Sequence, residues 1–398
     1  MAGAEGFDQQ NLAQMLQDLG SLLATPANEP INWTGAVQVA QRALNKSDTQ
    51  PLTPADSARA ASAMATAQLW LSEATTLPAH SAGVDVWTAS DWVEGTIDEW
   101  RELVNPIAAR AGETLGEILP RIAEIAGDDP EGDREKVSQS FAPFASMMKP
   151  LSAAMFGMQV GNGLASVASE VLCSSDIGVP LTQGHTPALV LPAIDKFGSQ
   201  LGNAGADALI FIALREAAHQ RLFAAAPWLA SQFKTSIVEY SRTIGIDMDR
   251  LREIVQSVEL GPGGDMQSMQ EMLGSGLMNE MAPKKDTPAL NRLETMLALI
   301  EGWVEQVVTQ ATSERLPSAP ALSETVRRRR AAGGPAEKTF MTLMGLQLKA
   351  ARLRQANQYW SLVFEKGGAT QRDSRWVHPD LLPNTEDLGD PNNYIQSQ

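Results

Sequence analysis

Apolar residues recur at helical spacing along nearly the whole of this chain. "NLAQMLQDLGSLLA", from residue 11, predicts a helix with Gly20 near a break. "TPADSARAASAMATAQLWLSEAT" opens on Thr53-Pro54, a capping residue followed by proline in the first turn, and is Ala-rich thereafter. "SDWVEGTIDEWRELVNPIAARAGETLGEILPRI" predicts a further helix, and its Trp92 and Trp100, with Trp87 just before, read as packing residues rather than a ligand cage. Residues 141–172 predict a buried helix or helix pair, in which Gly157 and Gly161 have the spacing of close helix packing. Helical patterning returns in "ALNRLETMLALIEGWVEQVVTQA", and two more amphipathic helices follow, ending near Glu365. The clearest strand signal is "TPALVLPAI", 186–194, bounded by Pro187 and Pro192. The tail from Gln371 reads as an irregular strap over the surface.

Breaks in this pattern suggest the organisation. "DDPEGDRE", 128–135, is polar and turn-rich. We expect a helical N-terminal subdomain over 1–130 and a core bearing the main motif over 131–258. A Met- and Gly-rich excursion over 259–288 reads as a lid or a loop over a cleft, and 289–398 as a C-terminal helical part with its tail.

Composition narrows the partners more than the fold. With 43% hydrophobic residues among 398, a large core can be buried. The net charge of −16 opposes binding to phosphate backbones, so nucleic acid is not an expected partner. The one cysteine, Cys173, excludes an internal disulfide framework and a thiolate zinc cluster, and its place at the end of an apolar run marks a small buried thiol. The start lacks a secretory pattern, and the most apolar window is broken by Lys149, Pro150, Gln159, Asn162 and Glu170, so a soluble, cytoplasmic protein without a membrane span is expected. "RRRR", 327–330, reads as a solvated helix end before Gly333-Gly334-Pro335, with a local anion or partner site as the alternative.

One stretch carries candidate chemistry. "LREAAHQRLF", 214–223, would read H-E-x-x-H if position 215 were histidine, but it is Arg215. It lies in a stretch, 206–226, that is apolar almost all round in its first half and is stopped by Pro227, as in a helix buried inside a protein. Arg215 and His219 are four apart and share a face, with Glu216 about 100 degrees round. In a metallopeptidase two histidines at this spacing bind zinc, the intervening glutamate takes a proton from the metal-bound water, and a third ligand comes from elsewhere. Glu301 in "LALIEGWVEQVV" is the natural third-ligand candidate, with Gly302 beside it allowing close helix approach and Glu294 and Glu305 as alternatives.

These segments, "ALREAAHQRLFAAAPWL", "LALIEGWVEQVV" and "RRRRAAGGPAEKTFMTLMGLQLKAARLRQANQYW", resemble an actinobacterial family of zincin-like zinc-dependent metalloproteases or hydrolases, some named for association with deazaflavin-coenzyme biosynthesis. "MLQDLGSLLA", "QLWLSEAT" and "WVEGTIDEWRELVNPIA" extend the likeness over most of the chain. The resemblance implies a mainly α zincin-like metallopeptidase fold, with a motif-bearing central helix and a small β-sheet. It implies His219 as a metal ligand, Glu216 as general base and Glu301 as the glutamate ligand, and the chain departs from it at Arg215. Arginine stays protonated and offers a metal no lone pair. Zinc would then need a replacement ligand from His80, His185 or His378. Two readings follow. One is a catalytically degenerate member, without a cofactor, that binds an unknown protein or peptide partner, with Arg215 forking to Glu301 in place of the metal and so compensating an acid pair formed by Glu216 and Glu301. The other is an active zinc hydrolase with a rearranged ligand set of His219 and Glu301 and Glu216 as base.

Overall fold

A computed structural model describes residues 29–45, 51–79, 83–126, 134–245, 287–334 and 350–397. The helix expected from residue 11, His80, most of the "DDPEGDRE" boundary, and the 259–288 excursion up to residue 286 lie outside the described residues. The described elements run α1 (Trp33–Asn45), α2 (Pro54–Ala74), β1 (Asp85–Trp87), α3 (Ala89–Ala126), α4 (Arg134–Ala168), β2 (Ala188–Val190), α5 (Leu191–Ser199), α6 (Ala208–Ala225), α7 (Trp228–Ser241), α8 (Pro288–Thr312), α9 (Ala319–Ala331), α10 (Ala350–Ser374) and α11 (Pro391–Ser397). The fold is mainly α, as the hydrophobic period predicts. Among the described residues no helix is long and apolar enough to cross a membrane.

Of these residues, those within Met1–Val39, Leu103–Gly161 and Ile237–Thr287 form one compact unit, and those within Ala40–Glu102, Asn162–Ser236 and Pro288–Gln398 form the other. In the first unit the glycines of α4 do what their spacing suggests. A Cβ on Gly157 would come within 2.8 Å of the Asn32 carbonyl oxygen, and one on Gly161 within 2.5 Å of that of Ala36. The backbones approach that closely because nothing stands between them, and Asn32 N donates to Ala153 O across the contact at 3.0 Å.

The second unit holds the motif helix. Local signals set its first element: Asp56 N donates to Thr53 Oγ1 and Thr53 N to Asp56 Oδ2, the reciprocal cap that starts α2. Helix α6 packs against α2 and α8, and α8 in turn against α10. Gly302 lets α8 and α10 meet, since a Cβ there would lie 3.0 Å from Ala356 and Asn357 atoms. Helix α10 is interrupted at Gly367 and Gly368, the latter at φ +67°, a conformation glycine adopts without strain.

The sheet has two strands, with β1 and β2 parallel and in register from Asp85↔Ala188 to Trp87↔Val190. On its other side β2 meets 172–174 antiparallel, through Ser174 N→Ala188 O and Val190 N→Leu172 O, both 2.9 Å. Of the expected strand over 186–194 only 188–190 is strand. Pro192 falls in the first turn of α5, where its missing N–H costs nothing, so the chain turns helical at once. Strand β1 carried no signal long enough to mark it.

The tail, expected to run over the surface, is anchored by Trp376. This ring is buried and stacks on Trp360 with centroids 5.3 Å apart, and its carbonyl accepts from Trp228 Nε1 at 2.9 Å. Just before it, the buried Asp373 carboxylate takes hydrogen bonds from Thr75 Oγ1, Thr76 N, Thr76 Oγ1, Trp303 Nε1 and Arg372 Nε, which ties the end of α2 to α8 and α10.

Candidate active site

Helix α6 has no polar face, because its residues from Phe211 to Phe223 are buried without exception. A helix so enclosed must satisfy each charged side chain by contact, since water cannot. Arg215, Glu216, His219 and Arg221 are therefore all committed to partners. Arg221 sends its donors to Gln68 O, Gln68 Oε1, Ser72 Oγ and Leu77 O, fastening α6 to α2.

Arg215 and His219 turn toward α8. Arg215 Nη2 donates to Glu301 Oε2 at 2.7 Å, and His219 Nε2 lies 3.1 Å from Glu301 Oε1. His219 Nδ1 donates to the Arg215 carbonyl at 2.9 Å. Arg330, at the end of α9, reaches the same Glu301 Oε2 with Nη1 at 2.6 Å. The Arg215–Glu301 contact is single-pronged rather than a fork, because the other Glu301 oxygen belongs to His219.

Glu216 faces elsewhere. Oε1 accepts from Ser174 Oγ (2.5 Å), Gln220 Nε2 (2.9 Å) and Ala188 N (3.2 Å), and Oε2 from Ser175 Oγ (2.5 Å) and Ser175 N (3.1 Å). Its five donors come from α6, β2 and the 172–178 turn, so it is the pin that holds the turn and the sheet to the helix. It shares no partner with Glu301 and does not enter the Glu301 cluster.

The turn is also held from above. Arg330 Nη2 donates to Asp176 O at 2.8 Å, Arg329 Nη1 to Asp176 Oδ2 at 3.2 Å, and Arg329 Nη2 to Glu170 O. Gly178 closes the turn at φ +77°, and a Cβ there would lie 2.9 Å from Glu301 Oε1. Gly178→Ala combines a left-handed backbone with that clash, so a loss of about 1–3 kcal/mol is expected in urea unfolding. Cys173 is buried, and burial, then the nearby Glu216 carboxylate, pushes its thiol well up, which makes it inert.

Burial would raise the Glu301 carboxyl, but Arg330, His219 and Arg215 overcome it and hold the group well below the usual carboxylate range. A depressed folded-state value means that protonation opposes folding. The stabilisation is therefore fully present above the unfolded-state value, about 4.3, and is lost as pH falls below it. The stability advantage of wild type over Glu301→Gln is expected to shrink steadily below that pH, and an advantage unchanged down to strong acid would show that Glu301 is not ion-paired.

The family profile described as zincin-like metallopeptidase matches residues 31–395. The chain belongs to that family. No protein of curated function matches it. It is similar to a candidate hydrolase with a novel fold from Chloroflexus aurantiacus, whose crystal structure aligns at a TM-score of 0.59 and 19% identity over 92% of this chain and 98% of that one. At that identity the likeness carries the fold alone.

A zinc ion at this site would have to take His219 and Glu301 as donors, and the donor set of this chain does not fit it. The Nδ1 of His219 donates to a backbone carbonyl, as the second nitrogen of a ligating histidine does, but position 215 offers a protonated guanidinium in place of a second imidazole. Glu301, the second donor, takes two guanidinium groups on one oxygen and the imidazole on the other. Among the described residues, no three His, Cys, Asp or Glu side chains gather as a metal set. Of the alternatives, Glu294 pairs with Arg352 at 2.8 Å and Glu305 with Arg327 at 3.3 Å, while His378 sits exposed beside Asp380 and His185 in the 183–185 turn.

Sequence pattern did not single out Ser174, Ser175, Asp176 or Gln220, and it gave Arg329 and Arg330 chiefly to solvent. Arg327 and Arg328 do project outward, pairing with Glu305 and Glu324. The other two turn inward because consecutive helical residues point about 100 degrees apart, so four in a row cannot share a face.

Proposed function

We propose that this protein is a catalytically degenerate zincin-like metallopeptidase that works by binding a protein or peptide rather than by metal-dependent hydrolysis. The observation that carries this reading is the Glu301 cluster, in which Arg215 and Arg330 converge on the carboxylate that a metal would need. The commitment of both Glu216 oxygens to five donors supports it, since a general base needs an oxygen free to take a proton. The hydrolase description of the Chloroflexus aurantiacus protein belongs to that protein, and the residues here argue against carrying it over.

The test is thermal unfolding with and without added zinc. A ligand that binds only the folded state raises the midpoint by mass action. Wild type is expected to show no saturable rise. Arg215→His combined with Arg330→Gln restores a histidine pair and frees Glu301, and is expected to show one. A zinc-dependent, chelator-reversible rise in wild type would overturn the proposal.

A further inference from the structure

We infer that the outer face of α2 is the contact by which two copies of this chain pair, antiparallel, about a two-fold axis at Thr66. Helix α2 buries Ala60, Met64, Ala67, Leu71 and Ala74 on one side. A helix turns about 100 degrees per residue, so Ala58, Ser62, Thr66, Leu69 and Glu73 fall on the other. Along that outer face the size of the side chains changes abruptly. Before Thr66 they are small, and an open hollow of about 650 Å³ lies between them and the start of α6, where Ala58, Ser62, Ala63, Leu209 and Ile210 line it. After Thr66 comes Leu69, 65% exposed, with Trp70 beside it. A lone exposed leucine is ordinary, but this one stands about 9 Å along the same helix face from an apolar hollow.

A two-fold contact between antiparallel helices sets each residue against the one equally far on the other side of the axis. With the axis at Thr66, Leu69 meets Ala63 of the second copy and Trp70 meets its Ser62, so the large half of each helix enters the hollow of the other. The charges agree. Arg59 and Glu73 stand seven residues before and after Thr66, and so face each other across the axis, twice. Both are exposed, 47% and 61%, and each has an opposite charge at its side, Asp195 at 2.6 Å from Arg59 and Arg315 beside Glu73. Meeting in reverse order, these ion pairs alternate in sign, whereas a parallel pairing would set Arg59 on Arg59 and Glu73 on Glu73. Two chains of net charge −16 repel, so a self-contact needs a face on which opposite charges can meet, and this face supplies one.

The occupant is a second copy because one helix carries the knob, the hollow that takes it and both charges, at a spacing that a single two-fold satisfies. Helix α2 has 21 residues and is about 31 Å long, so an antiparallel pair makes a small interface and a concentration-dependent dimer in the micromolar range is expected. These side chains lie outside the Glu301 cluster, and the pairing holds whether or not that cluster takes a metal.

Sedimentation velocity on the full chain, from about 1 to about 500 μM, is expected to move from the mass of one chain to that of two. Leu69→Glu changes an exposed helix position and should unfold at the wild-type midpoint. It is expected to weaken pairing about a hundredfold or more, because two leucines leave the contact and two carboxylates enter it. Glu73→Arg sets like charges across the axis and weakens pairing, and Arg59→Glu added to it restores opposite signs and recovers the dimer. Thr66→Cys is expected to cross-link to itself on mild oxidation, since residues at the axis come within disulfide reach, whereas Ser57→Cys, exposed on a different side of α2, is not. The native Cys173 is buried and stays out of the reaction. A monomer at every concentration overturns the inference and leaves the hollow to a different partner. A dimer that folded Leu69→Glu leaves intact overturns it by placing the contact elsewhere, and equal cross-linking of the two cysteine variants does the same.

Discussion

Glu301→Ala is expected to destabilise the protein by about 3–5 kcal/mol in chemical unfolding at neutral pH, because it strands two buried guanidinium groups that share the one carboxylate oxygen. The loss is not the worth of the ion pairs themselves. Forming such a cluster costs desolvation that its attractions roughly offset, whereas removing one sign leaves the other uncompensated. A triple replacement, Arg215→Leu, Glu301→Leu and Arg330→Met, takes away both signs together and is expected to recover most of the deficit. If Glu301→Ala cost less than about 1 kcal/mol, the cluster would not be closed in solution.

Glu216→Ala is the second large effect, also about 3–5 kcal/mol, by a different route. Here no guanidinium is stranded. Two serine hydroxyls, two backbone N–H groups and the Gln220 amide lose their common acceptor in a place that water does not reach. Alanine is the better helix former, so helix propensity would act in the opposite direction. The sign of the result discriminates between roles. A glutamate kept for proton transfer is often a strained group whose removal leaves stability unchanged or raises it. A large loss marks Glu216 as the pin between α6, β2 and the 172–178 turn.

Much of this was legible in the sequence, for reasons that also mark where legibility ends. The buried character of α6 showed in its unbroken apolar first half, and the helical class of the chain in the period of its apolar positions. Arg215, His219 and Glu301 were marked by spacing and by an interrupted motif, and the structure brings those three together. Glu216 was marked by the same motif, but the motif does not say which way a side chain leaves a helix that is buried all round. Ser174 and Ser175 decide that, and serines in a turn carry no signal of what they will bind. Arg330 was hidden within a charge run. A run of like charges looks solvated until a carboxylate on another helix, here Glu301, is known to lie within reach. Pairings between elements far apart in sequence are properties of packing, and a linear pattern does not encode them.

The most direct measurement is the zinc content of untagged native protein by elemental analysis, beside Arg215→His and the Arg215→His, Arg330→Gln pair. Two guanidinium groups on Glu301 predict no stoichiometric zinc in the native chain, little with the single substitution because Arg330 stays in place, and zinc with the double one. Stoichiometric zinc in the native protein, removed by a chelator with loss of stability, would contradict the closed site and return the chain to the hydrolases.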